Sequence, residues 1–121
     1  MNLVKYKTWG AYQSVFKLAS RIFRLSMQFP KSETYSLTDQ IRRSSRSVCA
    51  NLAESYGHRC YSASFKHKLT ICIGENLETM TWLDFALDCQ YIDQHTYDEL
   101  DELAQSTSKL LYYMIANPKK F

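Results

Sequence analysis

The segment Leu37-Thr38-Asp39-Gln40-Ile41-Arg42-Arg43-Ser44-Ser45-Arg46-Ser47-Val48-Cys49-Ala50-Asn51-Leu52-Ala53-Glu54-Ser55-Tyr56-Gly57 decides the fold class. Leu37, Ile41, Ser44, Ser45, Val48, Leu52 and Ser55 fall on one side of a helix of 3.6 residues per turn. The stripe narrows to serine, cysteine and alanine in its middle, which lets a neighbouring helix come close. The helix is expected to start after Pro30, between Ser32 and Ser36, where Ser36 followed by Asp39 resembles a capping arrangement. Gly57 at its end can take a left-handed conformation that closes the helix.

The same pattern recurs on either side. A first helix is predicted from about Thr8 to Gln28, with Val15, Leu18, Ala19, Ile22, Leu25, Ser26 and Phe29 inward, and Phe29-Pro30 ends it. After the basic connector His58-Arg59-Cys60-Tyr61, Ser62 is the expected cap of a third helix from about Ala63 to Gln90. Its apolar residues, among them Phe65, Leu69, Ile73, Leu77, Met80, Leu83, Phe85 and Leu87, cover more than one side. One neighbour cannot cover so wide an arc, so part of it is expected in a subunit interface. Asp93 caps a fourth helix from about Gln94 to Asn117, with Tyr97, Leu100, Leu103, Ala104, Thr107, Leu111, Met114 and Ile115 inward and Pro118 as its stop. Three glycines and two prolines leave few breaks in 121 residues. Short connections between long helices imply antiparallel neighbours. The expected fold is an all-α, up-down-up-down four-helix bundle forming a single domain over residues 1–121.

Charge is split along the chain. Residues 1–68 hold 12 Lys or Arg against Glu33, Asp39 and Glu54, a net +9, whereas residues 69–108 hold nine acids and no Lys or Arg. Such asymmetry marks a face for nucleic acid, or lets unlike surfaces of neighbouring subunits attract. No stretch approaches the ~20 apolar residues of a membrane span, and the N-terminus lacks the pattern of a signal peptide. No membrane contact and a cytoplasmic location are expected. Cys49, Cys60, Cys72 and Cys89 lack the close spacing of redox or zinc motifs, so four free thiols are expected.

Phe29, Pro30, Glu33, Tyr35, Leu37, Gln40, Arg42, Arg43, Ser47, Asn51, Ala53 and Glu54 together carry a family resemblance. They resemble the signature of the small bacterial four-helix bundle proteins known as 23S rRNA intervening-sequence, or S23 ribosomal, proteins. Gly74, Glu78, Thr81 and Leu83 add a weaker match in the third helix. Cys49 stands where that pattern commonly has proline, Ser55 where it has glycine, Ser44 for an alanine and Glu75 for a serine. The resemblance implies a homopentameric barrel with an axial channel. It extends to the accessory variability proteins of diversity-generating retroelements, which implies RNA or DNA and a reverse transcriptase or other protein as partners. The word "ribosomal" reflects genes lying within insertions in 23S rRNA genes.

Two groups of cations are candidates for phosphate contact. Arg42, Arg43 and Arg46 lie on the second helix, where Arg42 and Arg46 share a face and Arg43 points elsewhere. Pairing of one arginine with Asp39 or Glu54 is the competing role. Lys17, Arg21 and Arg24 form a stripe opposite the apolar face of the first helix, which Arg59 and Lys66 could extend. With no aromatic residues read between them, little base selectivity is expected. Gln40, Asn51, Glu54 and Glu78 are the expected structural polar network, since partly buried polar groups need partners. His58, His67 and His95 have no metal-ligand spacing, and no phosphate loop, nucleophile elbow or H-E-x-x-H is present. No catalysis, metal or cofactor is expected. What remains is an oligomeric nucleic-acid-binding protein, or a protein scaffold in which basic and acidic surfaces meet across subunits.

Overall fold

Helix ends explain why the chain breaks where it does. The computed structural model describes residues 3–121, which form α1 (Gly10–Ser26), α2 (Leu37–Gly57), α3 (Ser62–Asp88) and α4 (Gln94–Ala116), with 3₁₀ turns at Lys5–Thr8, Lys31–Glu33 and Pro118–Lys120. Asp93 caps α4 as expected, its carboxylate accepting the Thr96 amide at 2.8 Å. Three other expected terminal devices, at Ser36, Gly57 and Ser62, are corrected. At α2 neither Ser36 nor Asp39 caps with its side chain; Glu33 does, accepting the Leu37 amide at 3.3 Å and the Ser36 hydroxyl through Oε1. Its Oε2 accepts the Tyr91 hydroxyl at 2.9 Å, so one carboxylate ties the α1–α2 connection to the α3–α4 connection. The Ser36 bond first, then those from Tyr91 and Leu37, hold the Glu33 carboxyl below its usual pKa. The same carboxylate pushes the Tyr91 phenol up to about 12.

Gly57 is an ordinary helical residue, and none of the glycines has a positive φ. Arg59 closes that end instead: its Nη1 donates to the Tyr56 carbonyl at 2.7 Å while the guanidinium lies 3.8 Å from the Tyr56 ring centre. The left-handed residue is Gln90, at φ 62°. There the Tyr91 amide donates to the Ala86 carbonyl and the Gln90 amide to Leu87, both at 2.9 Å, which is the Schellman closure of α3. At the start of α3, Ser62 is the first helical residue and the preceding Tyr61 caps without a side-chain bond.

Each helix packs against two neighbours, α2 and α3 most extensively, and the diagonal pairs do not meet. Cross-links run in opposite senses along the seams. Glu54–Lys68, Val48–Cys72 and Ser44–Thr79 step along α2–α3, and Ser14–Thr107 and Arg21–Glu99 along α1–α4. The bundle is therefore up-down-up-down.

The core is divided in two. At one end Trp9, Val15, Val48, Leu52, Phe65, Leu69, Leu111 and Met114 form one apolar cluster, with Trp9 edge-on to Tyr56, Phe65 and Phe121. At the other end Leu18, Ile22, Ile41, Leu83, Leu100 and Ala104 belong to a second. Between them lies a polar belt. Thr79 Oγ1 donates to the Glu75 carbonyl one turn back at 2.9 Å, so its 2.8 Å contact with Ser44 is donated by Ser44. Thr107 repeats the arrangement, donating to the Leu103 carbonyl at 2.9 Å and accepting from Ser14 at 2.7 Å. Asn76 joins α3 to α4, its amide nitrogen donating to the Ala104 carbonyl and to Ser108 Oγ, each at 2.8 Å.

The bundle covers only part of the broad apolar arc of α3. Phe65, Leu69, Ile73 and Leu83 are buried, but Leu77 and Phe85 remain 52% and 51% exposed.

Thr79→Val strands the Ser44 hydroxyl with only a 3.4 Å approach to the Ile41 carbonyl. We expect chemical denaturation to show Thr79→Val and Ser44→Ala each losing about 1–2 kcal/mol. The Ser44→Ala/Thr79→Val pair should lose less than the sum, because neither partner is then left unmatched. Strict additivity would show that the two hydroxyls are not coupled.

Candidate nucleic-acid interface

Away from its buried stripe, α1 presents two adjacent rows. Lys17, Arg21 and Arg24 form one, and Phe16, Ser20 and Phe23 the other, each a single position earlier. Phe16 is 57% exposed and Phe23 36%. The expectation of a basic stripe without interleaved aromatics is thereby corrected. Phe16 and Phe23 fall off the apolar periodicity of α1, and rings placed beside Lys17 and Arg24 outside the core stripe were the available signal.

A second set of cations reaches the same rings from α2. The guanidinium carbons of Arg42 and Arg46 lie 4.8 and 4.9 Å from the Phe23 ring centre, and Arg42 Nε donates to Ser26 Oγ at 2.7 Å. Phe16, Phe23, Arg46 and Cys49 line a depression of about 260 Å³ between α1 and α2. Phe16 also borders a shallower one of about 630 Å³, with Lys7, Tyr12, Lys17, Arg21 and Arg24 around it. No carboxylate lines either depression.

The far edge of α1 is different. Arg21 Nη2 bonds Glu99 Oε2 at 2.8 Å, and Glu99 also accepts His95. Lys17 and Arg21 share a recess there with Glu99 and Glu102. Arg24 Nη1 donates to Ser20 Oγ at 2.7 Å. The structure thus gathers Lys17, Arg21, Arg24, Arg42 and Arg46 about the two phenylalanines. It leaves the other three candidates elsewhere: Arg59 closes α2, Arg43 is exposed on the outer side of α2, and Lys66 is exposed near the start of α3. Among the described residues, Arg21–Glu99 and Lys68–Glu54 are the only bridges from Lys or Arg to a carboxylate. Arg42, Arg43 and Arg46 do not pair with Asp39 or Glu54.

Gln40, Asn51, Glu54 and Glu78 sit along the α2–α3 seam without bonding one another. Asn51 Nδ2 donates to the Ser47 carbonyl and hydroxyl at 2.9 and 3.0 Å, Glu54 pairs with Lys68 at 2.9 Å, and Gln40 borders a recess with Trp82. Glu78 lies beside Glu75, whose carboxyl is raised first by partial burial and then by the charge of Glu78. Of the four, Glu54 joins two helices, through Lys68; the buried bonds between helices come from Ser14, Ser44, Asn76, Thr79 and Thr107. Ser44 and Thr107 are on the sequence stripes, but a stripe position does not reveal whether its hydroxyl reaches a facing helix.

The model of the 23S rRNA-intervening sequence protein family matches residues 7–113, nearly the whole bundle. The chain belongs to this family. It is also similar to a solved structure, that of a protein of unknown function from the S23 ribosomal protein family of Bacteroides thetaiotaomicron VPI-5482. The identity is 27% over 88% of this chain and 96% of that one, with a TM-score of 0.80. No curated protein matches the chain.

Among the described residues no three His, Cys, Asp or Glu side chains converge to hold a metal ion. His58 Nδ1 meets the Ser64 hydroxyl, with no carboxylate orienting the ring. All four cysteines are free thiols. Burial pushes Cys49 up to about 11 and Cys72 up to about 12, which removes their thiolates at neutral pH. Cys60 and Cys89 are exposed. A thiol-reactive chromophore at pH 8 should modify two thiols of the native protein quickly and all four after unfolding. Four fast thiols in the native state would contradict the packing around Cys49 and Cys72.

Proposed function

We propose that this S23-family protein is a non-enzymatic, oligomeric bundle that binds nucleic-acid phosphates through the α1–α2 face. The observation that carries this reading is the pair Arg42 and Arg46, held over Phe23 and bridged to no carboxylate among the described residues. Guanidinium groups kept planar and unneutralised are suited to phosphate oxygens, which they can meet with two parallel N–H bonds. Arg42 spends its Nε on Ser26, which fixes its plane and leaves its terminal nitrogens unused. Arg24 and Lys17 lie on the other side of the phenylalanine row, also without a bridge to an acid. Contacts of this kind bind the backbone and select sequence weakly. We place the protein in the cytoplasm; no helix among the described residues is long and apolar enough to cross a membrane.

A second reading, a protein scaffold, is favoured by Leu77 and Phe85, which stand more than half exposed on α3. Exposed apolar side chains of this kind suit a subunit contact or a protein partner. The homopentamer and the reverse-transcriptase partner implied by the family resemblance belong to this part of the proposal. The two readings use different faces and can hold together.

Arg42→Gln/Arg46→Gln separates them. We expect the variant to keep its helical spectrum and sedimentation profile, yet to bind a labelled RNA about ten-fold more weakly at low salt, as loss of two phosphate contacts requires. A smaller particle with unchanged RNA affinity would instead assign the arginines to subunit contact.

A further inference from the structure

We infer that the α1–α2 face takes single-stranded nucleic acid, with a base stacked on Phe16, an inference that rests on the phosphate-binding reading above. The phenylalanine row is flanked on both sides by cations, Lys17 and Arg24 from α1 itself and Arg42 and Arg46 from α2. The two rings differ in what covers them. Phe23 carries two guanidinium groups against its ring, whereas the ring contact of Phe16 is with Tyr12, 6.0 Å away and tilted by 34°. More than half of Phe16 faces solvent, between two depressions that no carboxylate lines. An exposed ring costs solubility and gains nothing from the core, and here it sits where only an anionic partner is electrostatically matched.

The geometry selects strand over duplex. A duplex hides its base faces within its own stack, so it can meet the cations but not the ring. A single strand can meet both, with phosphates along the cations and an unstacked base on Phe16. Phe16 and Phe23 are about 10 Å apart along the helix axis. Bases of one strand can therefore lie first on a bare ring and then, further along, on the guanidinium planes above Phe23, which are themselves stacking surfaces. Every base has such a face, so the contact tolerates any sequence.

The test uses the full chain, fluorescently labelled 12-nucleotide oligouridine and a 12-base-pair RNA duplex, with anisotropy as the readout. Phe16→Ala should weaken oligouridine binding about ten-fold, leave duplex binding within two-fold, and be rescued by Phe16→Tyr. An equal loss on both probes, or no loss on either, overturns the stacking inference while leaving phosphate binding standing. Failure of the unmodified protein to bind either probe overturns both. A Phe16→Ala protein that sediments as a smaller particle than the parent assigns the ring to a contact between copies and also overturns the inference.

Discussion

Ser44 and Ser14 each donate a hydrogen bond to a threonine on a facing helix, and each threonine donates its own to a carbonyl one turn back. Asn76 completes the belt by bonding α3 to α4. These links close the seams α1–α4, α4–α3 and α3–α2 at one height, between two apolar clusters that would themselves tolerate sliding. A helix shifted by one turn would carry a hydroxyl or an amide into apolar surroundings at about 1–3 kcal/mol for each unmatched group. The belt therefore sets the relative heights of all four helices. One outcome is that Phe23 of α1 comes level with Arg42 and Arg46 of α2.

The helices were legible because their apolar residues keep a helical period, and Asp93 was legible because its role is local. Glu33 was not. Its three bonds reach Ser36, Leu37 and Tyr91, and the last lies 58 residues away, beyond any local pattern. The left-handed position at Gln90 was hidden for a different reason: the residue normally expected there is glycine, and the sequence offers Gly57 at another helix end. In the candidate site the cations could be read from spacing, but their neutralisation could not. That depends on which acids α4 and α3 bring alongside: Glu99 bridges Arg21, while among the described residues no carboxylate bridges Arg42 or Arg46. Phe16 and Phe23 lie off the apolar stripe of α1, so the period that marks the core does not mark them.

The split of charge along the chain becomes a split in space. Residues of α3 and α4 supply nine acids counting the Asp93 cap, yet across the described residues only two Lys or Arg side chains are bridged to carboxylates. Unpaired charges of one sign on one flank, and of the other sign on another, give an outside field that local pairing would have cancelled. Such a field brings a polyanion to the α1–α2 flank before any specific contact forms, and it fades as salt rises.

Salt dependence of binding therefore tests the central claim most directly. With labelled oligouridine titrated at a series of potassium chloride concentrations, each phosphate engaged contributes a slope of about −0.7 to log K against log salt. Engagement of Lys17, Arg24, Arg42 and Arg46 predicts a slope near −3, taken as about four such contacts. A slope near zero, or no binding at low salt, would contradict the account.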